Sequence, residues 1–229
     1  MLILGLTKTT LLDYPGKVAA TIFTGGCNFR CPFCHNGNLV LNPSLEPAVS
    51  EEEVFEHLIK RKNVLEGVCV SGGEPTIQGD LPEFLSKIKA LGYLIKLDTN
   101  GMHPEIIQKL IEEKLVDYIA MDIKNTYEKY EITSGIKNID VAKIKQSIDY
   151  LINGALPYEF RTTLVKEYHQ EEDIMEMARM ISGADTWYLQ SFKDSDYVIK
   201  KGLAAYTKEE ISDMTNKIEN LKITIRGLD

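Results

Sequence analysis

The sequence predicts an α/β fold, an open parallel sheet of about six βα units built as a partial β/α barrel or a doubly wound sheet. Two observations predict it. Short apolar runs alternate with amphipathic stretches of helical length through the 229 residues. Alternation of this kind defines βαβ units, whose parallel crossovers are right-handed. Polar stretches carrying Cys, Gly and Asp fall at the ends of the apolar runs, where both architectures gather their ligands.

The elements follow in order. Val18–Phe23 (VAATIF) reads as the first buried strand. A cysteine loop comes next, then the helix of SEEEVFEHLIKRKN. There Ser50 and Glu53 have the spacing of a capping box, and Val54, Leu58 and Ile59 form the apolar stripe. GVCVSGG is the second strand, followed by a helix from Asp80 to Leu91. YLIKLDTNG is the third strand, and Pro104 suits the first turn of the next helix. VDYIAMDIK is the fourth strand, with a helix after it from Asp140 to Asn153. YEFRTTLV is the fifth strand, followed by a helix from Glu171 to Ile181. TWYLQSF is the sixth strand. Thr207 and Glu210 form a second capping box, opening a helix that runs to about Asn220. LKITIRG closes the chain as a seventh strand. Six or so units are too few for a full eight-unit barrel.

Bulk properties bound the function. With 44% hydrophobic and 26% charged residues, the chain is expected to be one domain over residues 1–229. A formal charge of −8, with no Lys/Arg run, argues against a nucleic-acid partner. No stretch approaches the ~20 apolar residues of a membrane span. The apolar N-terminus lacks a basic leader and a cleavage site, so it does not read as a signal peptide. Four cysteines without an export signal point to a reducing, cytoplasmic setting, where clustered thiols bind metal or do redox chemistry.

Three of those cysteines fall in the loop of residues 24–38, TGGCNFRCPFCHNGN. Cys27 is separated from Cys31 by three residues, and Cys31 from Cys34 by two. Thiolates this close can wrap one compact inorganic core. Three thiolates hold three irons of a cubane cluster and leave the fourth iron open to another ligand. At the other strand ends stand SGGEPT, LDTNG and MDIK. Gly72 and Gly73 let backbone approach a ligand, and Glu74 and Pro75 shape the turn after them. The alternative there is a turn needing glycine for geometry alone. Asp98 and Asp122 end strands, where a charge is costly unless paired or functional. Lys124, two residues after Asp122, points to the same face of an extended chain. An ordinary Asp–Lys surface pair is the alternative. Arg161 on the fifth strand is either a carboxylate binder or a structural ion pair.

These motifs resemble those of radical S-adenosylmethionine (SAM) enzymes. CNFRCPFC is the CxxxCxxC signature of that superfamily, with Phe33 where the family places an aromatic beside the adenine. SGGEP matches the motif that holds the amino group of the methionine moiety. Over almost the whole chain, from GLTKTTLLDYPGK through LDTNG and MDIK to IRG, the sequence is similar to activating proteins of anaerobic ribonucleoside-triphosphate reductase. These belong to the glycyl-radical enzyme activases. The resemblance implies a partial, open barrel of the radical SAM type. It implies a 4Fe–4S cluster on Cys27, Cys31 and Cys34, with SAM chelating the open iron. Reductive cleavage of SAM would give a 5′-deoxyadenosyl radical, which takes hydrogen from a glycine Cα of the partner. By the same resemblance Phe33, Gly72, Gly73, Glu74, Asp98, Asp122 and Lys124 line the cofactor site, Lys124 suiting the SAM carboxylate. A monovalent cation beside the aspartates is a further expectation. With one cluster at most, the electron is expected from a flavodoxin or a ferredoxin.

Other residues are set aside. Cys69, within a strand, reads as a small buried hydrophobe, since a fourth thiolate would close the open iron. His35 is a turn residue or a hydrogen-bond donor near the cluster. Some similar activases carry a late histidine near SAM, but YLQSFKDSD has none. Met175, Met177 and Met180 have helical spacing and read as core, and Trp187 as a packed strand residue. One alternative enzyme acts on another glycyl-radical enzyme or a small molecule, as 7-carboxy-7-deazaguanine synthase does. A zinc or plain iron–sulfur electron-transfer module is the non-enzyme alternative. Zinc would need a fourth ligand, His35, next to Cys34, and neither module accounts for the motifs at the other strand ends.

Overall fold

Near-continuous apolar runs that are buried on both faces make parallel strands, and this chain has them in sequence. In the computed structural model, which describes residues 1–154, 156–219 and 221–227, they become strands of an open α/β sheet. Two compact units divide the chain. One comprises residues 1–28, 38–99 and 103–120, the other residues 29–37, 100–102 and 121–229.

The first unit begins with β1 (Ile3–Thr10) and β2 (Ala19–Thr24). After the cysteine loop come α1 (Gly37–Leu41), α2 (Glu51–Lys60), β3 (Gly67–Gly72), α3 (Leu81–Ala90), β4 (Leu94–Thr99) and α4 (Pro104–Glu112). β2, β3 and β4 are parallel neighbours, with Thr21 opposite Cys69 and Cys69 opposite Lys96. Ala20, Ile22, Val68, Val70, Ile95 and Leu97 are fully buried along them. β5 (Tyr118–Asp122) carries the chain into the second unit. There follow α5 (Tyr130–Ser134), α6 (Val141–Asn153), β6 (Tyr158–Leu164), α7 (Glu171–Met180), β7 (Thr186–Ser191), α8 (Lys208–Thr215) and β8 (Lys222–Arg226). β6, β7 and β8 are again parallel neighbours in chain order. Trp187 is fully buried on β7, its indole N–H donating to Thr162 Oγ1 at 3.0 Å.

Four details depart from expectation. Residues 3–10 form an eighth strand that pairs antiparallel with β2. Its outer half is exposed, so it lacks the buried apolar signature of the others. Ile59 is 60% exposed, because Val54 and Leu58, four apart, already define the buried stripe of α2 and Ile59 lies a further 100° round the helix. Of the three methionines of α7 only Met177 is buried, in step with Ile174 and Ile181. The helix after Thr207 ends at Thr215 rather than running on; Asn220 itself lies outside the described residues. Its capping box is formed, with Thr207 Oγ1 accepting the Glu210 N–H at 3.2 Å and Glu210 accepting the Thr207 N–H at 2.8 Å. No helix among the described residues is long and apolar enough to cross a membrane.

Candidate functional site

The first unit contributes Cys27, the glycine turn and Asp98. Cys27 directly follows the Gly25–Gly26 end of the β2 strand, and its thiol donates to Asn28 Oδ1 at 3.8 Å. Gly72 has φ +113°, open to glycine but strained for other residues. Gly73 lies so close to Gly26 that a Cβ there would run into the Gly26 carbonyl oxygen. The N–H of Glu74 donates to that same carbonyl at 2.9 Å. The glycine pair therefore clamps the end of β3 onto the start of the cysteine loop. Glu74 is 1% exposed, and its Oε1 accepts from the Thr76 N–H (3.1 Å), the Thr76 hydroxyl (2.6 Å) and the Thr99 hydroxyl (2.8 Å). Its carboxylate thus ties the turn to the end of β4. Asp98 accepts the Ser71 hydroxyl at 2.9 Å and an ion pair from Lys96.

The second unit gathers Cys31, Phe33, Cys34, Asp122, Lys124 and Arg161. The Cys34 N–H donates to the Cys31 carbonyl at 3.0 Å, so the two thiols share one tight turn. Burial pushes the Cys31 thiol up to about 11, against the pull of the Lys124 ammonium, and burial raises Cys34 as well. Burial alone would lower Lys124, but Asp122 and Cys31 outweigh it and its pKa is raised. Lys124 Nζ donates to Asp122 Oδ2 at 2.9 Å, and Arg161 Nε to Asp122 Oδ1 at 2.9 Å. Arg161 is therefore an ion-pair partner of Asp122. Phe33 is 3% exposed and packs edge-on against His169, with Tyr168 tilted beside it. His35 stacks on Phe192, and burial lowers its pKa. Two backbone hydrogen bonds strap this loop: Gly37 N–H to Tyr197 O at 3.2 Å and Lys200 N–H to Pro32 O at 2.8 Å.

Sequence reasoning passed over two fully buried groups here. Lys96 carries a readable signal, a lone lysine two residues before Asp98 inside an apolar run. His169 carries none, since it sits in a loop without periodicity. Its Nε2 donates to Lys124 O at 2.8 Å, and its Nδ1 accepts the Val165 N–H at 3.1 Å.

The donor chemistry fits an iron–sulfur group. Cys27, Cys31 and Cys34 are reduced cysteines outside any disulfide, and soft thiolates suit iron–sulfur cores. A buried thiol with a pKa near 11 gives up its proton only to a strong local positive charge, which metal coordination supplies. Among the described residues no group of three or more His, Cys, Asp or Glu side chains is already placed to hold a metal ion. Cys69 is 0% exposed inside β3, as expected of a packing residue.

Comparison with known proteins follows the same line. The family profile described as the radical SAM superfamily matches residues 21–181. A Methanocaldococcus jannaschii protein provisionally named a glycyl-radical enzyme activating enzyme is 36% identical over 203 residues, 85% of this chain and 81% of that protein. A pyruvate formate-lyase-activating enzyme of Listeria monocytogenes is 38% identical over 124 residues, and the match spans 49% of each chain. Among solved structures, Streptococcus suis SuiB bound to S-adenosylmethionine superposes with a TM-score of 0.67 at 17% identity, covering 88% of this chain and 48% of that one. This last likeness is one of fold. Since the family profile spans more than half of the residues, the chain belongs to the radical SAM superfamily of enzymes.

Proposed function

We propose that this chain is a glycyl-radical enzyme activase, working as one domain over residues 1–229, and that its partner is an anaerobic ribonucleoside-triphosphate reductase. The observation that carries the proposal is the loop of three reduced cysteines, Cys27, Cys31 and Cys34, with Gly73 pressed against its first turn. The name of the M. jannaschii relative supports the activase reading. The resemblance of its motifs, from GLTKTTLLDYPGK through LDTNG and MDIK to IRG, to reductase-activating proteins supports the choice of partner.

When bound, a 4Fe–4S cluster with SAM supplies one-electron chemistry strong enough to remove hydrogen from an unactivated carbon. The residues of this chain bind and orient. Cys27, Cys31 and Cys34 would hold the cluster through three thiolates. Gly72 and Gly73 bring backbone to the methionine end of SAM, and Glu74 holds their turn in shape. Asp98, Asp122 and Lys124 would offer hydrogen-bonding partners to its polar groups, and Phe33 an apolar wall to its adenine. The fourth cysteine is packed inside β3, so a second cluster has no ligands. Electrons therefore come from outside, from a flavodoxin or ferredoxin in the cytoplasm.

The test is anaerobic electron paramagnetic resonance on reduced, reconstituted protein mixed with SAM and the anaerobic reductase of the same organism. 5′-Deoxyadenosine is assayed in the same tube. A glycyl-radical doublet that requires every component is the expected result. Deoxyadenosine without the doublet would remove this partner and direct the search to other glycyl-radical enzymes or to small molecules. A colourless protein holding stoichiometric zinc would remove the radical reading altogether.

A further inference from the structure

Lys96 has no part in the function proposed above, yet its placement is costly. It lies within β4 between Ile95 and Leu97, both fully buried, and its own side chain is only 2% exposed. An ammonium in such a place is unfavourable unless an anion meets it. Lys96 and Asp98 are two apart on a strand and share a face. Lys96 Nζ donates to Asp98 Oδ1, while Asp98 Oδ2 accepts the Ser71 hydroxyl at 2.9 Å. Cys69 Sγ, on the neighbouring strand, closes the far side at 3.9 Å from Nζ. One oxygen of the carboxylate is thus taken by an ammonium and the other by a hydroxyl.

A free monovalent cation beside Asp98 is part of what the family resemblance implies. The residues do not fit it. A second cation on this carboxylate would meet the lysine charge at close range in a poorly solvated place, where like charges repel strongly. The pair also stands at the ligand end of the sheet. Thr99, the residue after Asp98, is bonded to Glu74 of the glycine turn.

We propose that Lys96 is a tethered counter-cation: its ammonium neutralises and orients Asp98, as a dissolved Na+ or K+ would otherwise do, and the carboxylate takes no free monovalent ion. Its consequence for SAM rests on the function proposed above; the charge arrangement itself does not.

The experiment uses the full chain, purified anaerobically, in NaCl, KCl or tetramethylammonium chloride at equal ionic strength. Wild type is expected to melt at one temperature in all three salts and to cause no saturable broadening of the sodium-23 resonance. Lys96→Met should melt lower in tetramethylammonium and recover in Na+ or K+. Lys96→Met/Asp98→Asn should lose that salt preference, and Lys96→Arg should behave as wild type. A Na+- or K+-specific stabilisation of wild type, or saturable sodium-23 broadening, would overturn the proposal. So would a folded Lys96→Met protein indifferent to the cation. If Lys96→Met does not fold, the wild-type and Lys96→Arg series decide. SAM affinity in the same salts should be constant for wild type. For Lys96→Met it should fall roughly tenfold in tetramethylammonium and return with K+ or Na+. If wild type binds no SAM in any salt, the radical SAM function fails, and the melting series still judges Lys96.

Discussion

Cys31 and Cys69 are both buried thiols, 7% and 0% exposed, yet they answer to different physics. Cys69 is surrounded by strand residues and fills space beside the Lys96 ammonium, 3.9 Å from its Sγ. Cys31 shares a tight turn with Cys34, and the Lys124 ammonium favours its thiolate. Cys31→Ala is therefore expected to abolish cluster assembly, read as loss of the broad iron–sulfur absorbance after anaerobic reconstitution. Cys69→Ala should keep that absorbance and cost about 1 kcal/mol of stability by denaturant melt. Loss of absorbance in a folded Cys69→Ala protein would reverse the ligand assignment. The carboxylates divide similarly. Glu74 spends one oxygen on three donors of its own unit, so its contribution is the shape of the turn. Asp122 stands between Lys124 and Arg161 and remains an electrostatic centre.

Gly73 acts at the scale of the element, because its missing Cβ is what lets the end of β3 lie on the Gly26 carbonyl. Gly73→Ala has no room there, and the neighbour is backbone, which cannot rotate away. Overpacking of this kind should cost about 3 kcal/mol, measured by urea unfolding, and should impair cluster uptake as well as stability. A variant as stable as wild type would show that the turn yields easily. The same elements show what a sequence makes legible. β2, β3 and β5 were readable because burial on both faces leaves near-continuous apolar runs, and β6 and β7 because buried and half-buried positions alternate along them. The β1 strand was not, because an edge strand half in water mixes Lys and Thr with its apolar residues. The cysteine spacing and glycine turn were legible because both are local. Lys96 was missed as a partner of Asp98 although the pair is two residues apart, and His169 could not be found, since its Nε2 partner, the Lys124 carbonyl, comes from a distant segment.

On the scale of the whole molecule, buried titrating groups set the response to acid. Burial lowers the pKa of His169 below its usual 6.5, and its Nδ1 is already used as an acceptor for the Val165 N–H. Its unfolded form binds a proton more readily than its folded form. Stability from this residue is therefore complete above about pH 6.5 and is lost as pH falls toward the lowered value, by at most about 1.4 kcal/mol per pH unit. His35, lowered by burial too, adds with the same sign. Unfolding followed between pH 8 and 5 should show this decline, and His169→Gln should flatten part of it; an unchanged slope would remove His169 as a source. Finally, the strap over the cysteine loop sets a schedule for the making of the protein. Residues 29–37 belong with the later unit of the chain and are held by Tyr197 and Lys200. A ribosome adding about 5–20 residues per second needs roughly 8–33 s to get from that loop to those residues. During that interval the loop lacks its strap, so a cluster held by these thiols would be expected to settle only once Tyr197 and Lys200 are in place.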